Sequence, residues 1–138
     1  MTRLLDVNLL MALLWENHEQ HERARRWLAA VVEFASCPVC QLGFVRISAH
    51  PMLGFGMSPD QAFGILRRFL ADPRHLFIPD DLSCEDRGLL TERIPGSNDV
   101  TDHYLAGLAR HHGFTLATFD GPLSRAFPAE PGLVELAA

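Results

Sequence analysis

Short apolar runs alternate along this chain with longer segments whose apolar residues recur at helical spacing. The short runs predict strands at residues 3–7, 34–36, 75–78, 114–119 and 133–136. The longer segments predict six helices. In chain order, the first ends near residue 15, the second covers 18–32, the third follows Pro38, and the others cover 59–70, 82–93 and 100–112. This alternation is typical of an α/β fold whose central, mostly parallel sheet of four to five short strands is covered by helices on both faces.

Capping residues mark the ends of several predicted helices. Asn8 is the expected N-cap of the first helix, and Ser58, followed by a proline, is a typical start for the fourth. Either Asp99 or Asn98 is expected to cap the sixth helix, and Gly113 is expected to end it. The segment over residues 50–59, rich in glycine, proline and methionine, predicts a surface loop or a partner-facing segment.

The composition fits a single domain over residues 1–138, because 48% of the residues are hydrophobic and the mean hydropathy is +0.06. No apolar run reaches the roughly 18 residues that span a membrane. The N-terminus lacks the basic segment and the cleavage site of a signal peptide, so a cytoplasmic protein without membrane attachment is expected.

The charged residues exclude several kinds of chemistry. The net charge is −5, and all 12 basic residues are arginine. Because the sequence contains no lysine, Schiff-base and P-loop mechanisms are excluded, although arginine can still bind phosphate groups in a bidentate manner. A net negative charge is not typical of a general nucleic-acid binder, but it is compatible with a cation-dependent acidic site or with a basic partner.

Three cysteines offer a second kind of chemistry, which is the weaker candidate. Cys37 and Cys40 form a C-x-x-C motif, which occurs in thioredoxin-like redox sites but also as two small buried residues where a strand meets a helix. Cys84 stands apart. No second C-x-x-C motif or suitable histidine pair completes a zinc site in the sequence.

Three aspartates are candidates for one acidic site. Asp6 lies between apolar residues at the end of the first strand, and Asp120 ends the strand over residues 114–119. Asp102 lies in the first turns of the preceding helix. Parallel strands open their carboxyl ends on one edge of a sheet, where ligands bind in open α/β folds. Carboxylates that meet there repel one another unless a divalent cation such as Mg²⁺ or Mn²⁺ lies among them, and such an ion acidifies its bound water.

Each of these acids also has a purely structural alternative. Asp102 near a helix N-terminus would compensate the helix dipole, and Asp120 before a Gly-Pro pair is a common turn residue. Asp6 is hardest to explain structurally, because burying a charge among apolar residues is costly. Thr118 points to the same side of its strand as Asp120 and could orient a water, and Asp99 is expected to be a cap with a supporting role as the alternative.

Three stretches of the sequence together resemble the PIN-domain ribonucleases, in particular VapC-type toxins. They are LLDVNLLMALL at residues 4–14, CPVCQLGFVRIS at 37–48 and VTDHYLAGLARHHGFTLATFD at 100–120. The resemblance implies a three-layer α/β/α sandwich and a Mg²⁺- or Mn²⁺-dependent endoribonuclease that cleaves structured RNA such as tRNA or rRNA. It also implies a homodimer inhibited by a VapB-like antitoxin.

The resemblance further implies roles for particular residues. Asp6, Asp102 and Asp120 match the catalytic and metal-binding acids of the family, while Asn8 and Thr118 match their polar neighbours. The family usually has a glutamate in the helix after the second strand, where this chain offers Gln41.

The substitution by Gln41 motivates an alternative function, a catalytically weak module that binds RNA or antitoxin. Arg46, further along the same helix, is a candidate for contacting a substrate phosphate, and an exposed helix charge is its alternative. A third hypothesis, a phosphoryl-accepting α/β domain with Asp6 as the acceptor, is disfavoured by the absence of lysine and by Asn8 where a dehalogenase-like enzyme has an aspartate.

Overall fold

A five-stranded parallel sheet forms the centre of the molecule in the computed structural model, which describes residues 1–53, 56–89 and 91–138. The strands run in the order β3-β2-β1-β4-β5 and have the bounds Arg3–Leu5 (β1), Phe34–Ser36 (β2), His75–Phe77 (β3), Thr115–Thr118 (β4) and Val134–Leu136 (β5). The helices are Val7–Leu14 (α1), His21–Ala29 (α2), Pro38–Ser48 (α3), Pro59–Leu70 (α4), Val100–His112 (α5) and Gly121–Ser124 (α6). The α/β fold with a parallel sheet is therefore confirmed.

Helices cover the central strand β1 on both of its faces. Leu4 and Leu5 are consecutive residues whose side chains point to opposite faces of the sheet, and both are 0% exposed. Their partners on β4, Leu116 and Ala117, are equally buried. Because β1 pairs with β2 on one side and β4 on the other, the carboxyl ends of these three strands meet at the middle of one sheet edge.

The ends of several helices follow from the sequence signals. Pro38 opens α3, and Ser58 caps α4 through a capping box with Gln61, in which each side chain bonds the other residue's backbone. Gly113 ends α5 with a φ of 72°, a left-handed conformation that glycine adopts without strain. The predicted ends of α4 and α5 are confirmed. Helix α2 is shorter at both ends than residues 18–32 predicted.

The predicted helix over residues 82–93 is wrong. The described part of this segment consists of turns, followed by a short 3₁₀ helix at Thr91–Arg93. The hydroxyl of Ser83 accepts from the amide of Glu85, and the carboxylate of Asp86 accepts from the amide of Gly88. Such local bonds between a side chain and the backbone stabilise turns and compete with the backbone hydrogen bonds of a helix. The prediction was wrong because it considered only the spacing of the apolar residues.

The glycine- and methionine-rich loop is at the surface where it is described. Met52 is 84% exposed and Leu53 60% exposed, while Gly54 and Phe55 lie outside the described residues. Among the residues that the structure describes, no helix has both the length and the apolar character needed to cross a bilayer.

Candidate active site

Asp6 is a buried carboxylate with two fixed hydrogen bonds. It follows β1 and is the N-cap of α1, and its side chain is 1% exposed. One carboxylate oxygen accepts from the amide of Val7 at 2.7 Å, and the other accepts from the hydroxyl of Thr118 at 2.8 Å. Burial raises the pKa of Asp6, and the charge of Asp120 raises it further, whereas the two hydrogen bonds lower it.

The hydroxyl of Thr118 is the hub of the polar network at this edge. It donates to Asp6 and accepts from the side-chain amide of Asn8 at 3.1 Å and from the backbone amide of Asp120 at 3.0 Å. The carbonyl oxygen of Asn8 in turn accepts from the amide of Phe119 at 3.2 Å. Asn8 and Thr118 therefore lie beside the acids, as the family resemblance implied, and hold β4 against the start of α1.

Asn8 does not cap α1, so that prediction is wrong. The helix begins one residue earlier, at Val7, because Asp6 has the extended conformation of an N-cap and its carbonyl accepts the first helical bond from Leu10. Asn8 is thereby released to bind β4.

Asp120, like Asp6, lies between the end of a strand and the start of a helix. It follows β4 and caps α6, and one of its oxygens accepts from the amide of Leu123 at 3.0 Å. The predicted Gly-Pro turn is the first turn of this short helix. Asp120 is partly exposed, so it forms the open side of the site while Asp6 forms the buried side.

Asp102 carries the clearest electrostatic signature of the site. Its pKa is raised to about 7, first by burial and then by the negative charges of Asp6, Asp120 and Asp99. The structure thus brings the three predicted acids, and Asp99, within electrostatic range of one another. Asp99 occupies the N-cap position of α5, as predicted, but its side chain makes no capping hydrogen bond.

The donor set fits a hard divalent cation. Among the described residues, the ligand atoms of Asp6, Asp102 and Asp120 do not all lie within 4.8 Å of one another. Mg²⁺ and Mn²⁺ prefer oxygen ligands and commonly keep several waters, so waters can bridge the ion to a carboxylate that does not bind it directly. A cation would also relieve the mutual repulsion that raises the pKa of Asp102.

Gln41 belongs to a separate hydrogen-bond network. Its side-chain amide donates to the hydroxyl of Ser36 at 2.9 Å, and that hydroxyl also bonds a ring nitrogen of His75 at 2.7 Å. Gln41 also lines a hollow against α4 and not the cleft beside Asp102. The role of Gln41 in place of the family's glutamate therefore stays a prediction, and in this structure its amide is bonded to Ser36.

Arg46 lies on the wall of the cleft beside Asp102. It is exposed on α3 and shares with Asp102 a cleft of about 400 Å³. The cleft is lined by Val7, Val39, Leu42, Gly43, Arg46, Ile47, Thr101 and Asp102. The face of α3 that contributes to this cleft supplies no carboxylate.

Two residues that shape this cleft were missed from the sequence. A Cβ atom added to Gly43 would lie 2.9 Å from Cγ2 of Val7, so glycine permits the close approach of α3 to α1. A glycine inside a helical pattern is the signal that could have revealed this contact. Asp80 accepts from the amide of Val39 at 3.1 Å and so anchors the start of α3, but no local sequence pattern indicates a contact across 41 residues.

Of the two roles considered for the C-x-x-C motif, the structure favours two buried residues where a strand meets a helix over a redox site. Cys37 and Cys40 are both buried, and their sulfur atoms lie 3.3 Å apart. The hydrogen bond with Cys37 and burial raise the pKa of Cys40 well above its usual value. Because the thiolate is the reactive form of cysteine, this environment disfavours redox chemistry.

We expect Thr118→Val to weaken cation binding, because it removes the donor that orients Asp6 while keeping the shape of the side chain. Loss of such an orienting bond lowers metal affinity by about 10- to 100-fold, and the unpaired oxygen of Asp6 costs about 1–3 kcal/mol of stability. Thr115→Val is the matched control, since Thr115 is buried on the same strand and donates to the carbonyl of Gly132. Mn²⁺ binding measured by electron paramagnetic resonance, with urea unfolding, checks both effects; equal Mn²⁺ affinity in the two variants contradicts the role of Thr118.

The raised pKa of Asp102 predicts a pH dependence of stability in the absence of metal. The folded chain keeps this proton up to pH about 7, whereas the unfolded chain releases it near 3.8. The folded state therefore binds more protons between these values, and the contribution of Asp102 to the free energy of unfolding falls as the pH rises through that window.

Urea unfolding in EDTA at about pH 5 and about pH 7.5 checks this expectation when wild type is compared with Asp102→Asn. We expect the wild type to lose stability relative to the variant at the higher pH, and Mg²⁺ to restore it. A wild-type-to-variant difference that is the same at both pH values contradicts the assignment.

The family model and the relatives that match this chain indicate the same family. The family model of the PIN domain matches residues 3–126. Ribonuclease VapC38 of Mycobacterium tuberculosis is 40% identical to this chain over 120 residues, which cover 85% of this chain and 84% of the relative. Ribonuclease VapC44 of the same organism is 38% identical over 135 residues, with coverage of 96% and 94%.

Solved structures show the same fold at lower identity. VapC20 of Mycobacterium tuberculosis, a toxin that cleaves the sarcin–ricin loop, matches with a TM-score of 0.68 and 13% identity over 90% of this chain and 94% of that one. VapBC2 from Rickettsia felis, bound to a promoter DNA fragment, matches with a TM-score of 0.64 and 21% identity over 98% of each chain. These structures establish the fold, and the family model and the relatives establish the family. The chain thus belongs to the PIN-domain family and, within it, to the VapC ribonucleases, the toxins of VapBC toxin–antitoxin pairs.

Proposed function

We propose that this chain is a Mg²⁺- or Mn²⁺-dependent endoribonuclease that cleaves structured RNA, with tRNA or rRNA as the substrate class. The observation that carries the proposal is the raised pKa of Asp102, because it reports several carboxylates gathered at one sheet edge without a compensating cationic side chain among its causes. The cleavage of the sarcin–ricin loop by VapC20, a relative in fold, supports a structured RNA as substrate.

Each residue at the site has a distinct task in this proposal. Asp6, Asp102 and Asp120 would hold the cation, which supplies a Lewis acid and an acidified water for hydrolysis of a phosphodiester. Thr118 and Asn8 keep Asp6 turned toward that position through their hydrogen bonds. Asp99 adds negative charge beside Asp102 and so strengthens the preference for a divalent ion.

Arg46 supplies the positive charge that the acids lack. It lines the same cleft as Asp102, and a guanidinium group binds phosphate oxygens in a bidentate manner. A phosphate held by Arg46 would bring the RNA backbone beside the carboxylates in spite of the net charge of −5.

We expect Asp6→Asn to reduce cleavage of a tRNA and rRNA mixture by at least about a hundredfold at saturating Mn²⁺, because it removes a buried charged ligand. Asp60→Asn, at an exposed carboxylate on α4, is the control and should keep wild-type turnover. Gel-resolved cleavage is measured across a Mg²⁺ and Mn²⁺ titration. Cleavage that survives EDTA, or that Asp6→Asn leaves intact, would exclude the proposed mechanism.

A weakly catalytic module that binds RNA or antitoxin is the second function suggested by the sequence. Gln41 in place of the usual glutamate and the net charge of −5 motivate it, and in the structure the amide of Gln41 donates to Ser36. One structural observation supports this alternative: α3 contributes no carboxylate to the cleft beside Asp102. Failure of the wild type to turn over RNA at any Mg²⁺ or Mn²⁺ concentration would favour it.

An antitoxin of the VapB kind is the proposed protein partner, and a homodimer is the proposed oligomer. The fold relatives include toxin–antitoxin complexes from Rickettsia felis and Klebsiella pneumoniae. An apolar hollow of about 340 Å³ lies between α3 and α4, lined by Pro38, Gln41, Leu42, Phe63, Leu66, Arg67 and Leu70. Leu42 lines both this hollow and the cleft beside Asp102, so a peptide lying in the hollow would reach the acids, where an arginine would complement their charge.

We expect Leu42→Gln to weaken binding of the antitoxin by at least about tenfold, because Leu42 is 60% exposed and joins the hollow to the cleft. Val32→Gln is the control, since Val32 is 86% exposed outside both surfaces. The probe is the product of the adjacent reading frame, and affinity is measured by calorimetry. Equal affinities for the two variants would place the antitoxin elsewhere.

A further inference from the structure

A second group of potential metal ligands lies at the far end of α5. His111 and His112 form the last turn of this helix, and Asp81 follows β3. Nε2 of His112 lies 2.7 Å from Oδ1 of Asp81, and Nε2 of His111 lies 3.7 Å from Oδ2. One ligand atom from each residue lies within 4.8 Å of the other two. His112 is ten residues beyond Asp102, about 15 Å along the helix axis, so this group is separate from the acidic site.

We propose that Asp81, His111 and His112 bind a late first-row divalent cation, with Zn²⁺ as the representative, and that the ion clamps the segment after β3 to the end of α5. Zn–N and Zn–O bonds of about 2.0–2.2 Å at a tetrahedral angle place ligand atoms roughly 3.3–3.5 Å apart. The two observed separations lie on either side of that value. The potential ligand atoms therefore already lie near the spacing of a zinc site.

The backbone around Asp81 is fixed on both sides, which prepares the site for binding. The preceding residue, Asp80, accepts from the amide of Val39, and the carbonyl of Leu82 accepts from the hydroxyl of Tyr104 at 3.0 Å. Further along the same segment, Arg110 donates to the carbonyl of Gly88 at 3.1 Å. Ordering of this kind lowers the entropic cost of binding.

The imidazole rings are also held in place. The ring of His112 stacks on Phe114, with centroids 5.7 Å apart, and meets the ring of His111 edge-on at 5.2 Å. A helix dipole alone would favour histidines in a last turn. The hydrogen bond between His112 and Asp81 accounts for one of the two approaches to this carboxylate. The additional approach of His111 to the same carboxylate is the observation that indicates a ligand.

The chemistry of the donors selects the class of ion. Two imidazole nitrogens and one carboxylate oxygen suit Zn²⁺, Co²⁺ or Ni²⁺, whereas Mg²⁺ prefers oxygen alone. The carboxylate and His111 are 45% and 44% exposed at their side chains, so an ion can enter from solvent and water can complete its coordination. Two sites on one chain would then differ in ion preference, the sheet edge taking Mg²⁺ or Mn²⁺ and the end of α5 taking Zn²⁺.

The test is calorimetric titration of Zn²⁺ into the untagged, full-length protein after removal of bound metal, on a Cys84→Ser background that eliminates the exposed thiol. We expect one Zn²⁺ per chain, a loss of at least about tenfold in affinity in both Asp81→Asn and His112→Gln, and no change in His50→Gln, a control at an exposed histidine. Circular dichroism confirms that each variant is folded. Zn²⁺ should raise the Tm of the parent protein but not that of Asp81→Asn.

A second measurement identifies the donors directly. Co²⁺ bound at this site should show the visible absorption of nitrogen and oxygen ligation without a thiolate-to-cobalt charge-transfer band. Asp6→Asn should leave Zn²⁺ binding intact while abolishing Mn²⁺-dependent RNA cleavage, so the two sites can fail independently. Absence of Zn²⁺ binding, equal affinity in Asp81→Asn, a thiolate band, or loss of Zn²⁺ binding in Asp6→Asn would each overturn the proposal.

Discussion

The hydrogen bond from Thr118 to Asp6 is the interaction on which the candidate site depends. Asp6 is buried at the centre of the sheet edge, where a carboxylate without donors would be strongly destabilising. Thr118 satisfies one oxygen and the amide of Val7 satisfies the other. Because Thr118 also binds Asn8 and the amide of Asp120, one hydroxyl sets the mutual position of β4, α1 and the next acid.

The same arrangement leaves an excess of negative charge, since no cationic side chain is among the causes that shift the pKa of Asp6 or Asp102. The pKa values of Asp6 and Asp102 are both raised, and the causes of both shifts include neighbouring carboxylates. Such a site is stabilised by whatever cationic group enters it. A divalent ion and the arginine of an inhibiting peptide are two ways to meet this electrostatic demand, which unites the proposed catalysis with the proposed inhibition.

Features that depend on strand ends were predictable from the sequence, whereas features that depend on side-chain direction or loop path were not. The acids Asp6 and Asp120 were identified because parallel strands share one carboxyl edge. The contact of Gln41 was not predictable, because a helix presents neighbouring positions to different sides and the sequence does not reveal that this amide donates to Ser36. The approach of Asp81 to His112 joins residues 31 positions apart through a segment whose turns were mistaken for a helix.

Anomalous diffraction from crystals soaked in Mn²⁺ would test the central claim most directly, since it locates the ion without reference to activity. The account predicts one or two peaks bounded by the carboxylates of Asp6, Asp102 and Asp120, with the amide of Gln41 still bonded to Ser36 and outside the coordination shell. A Mn²⁺ peak coordinated by Gln41, or no peak among the three aspartates at a saturating concentration, would contradict it.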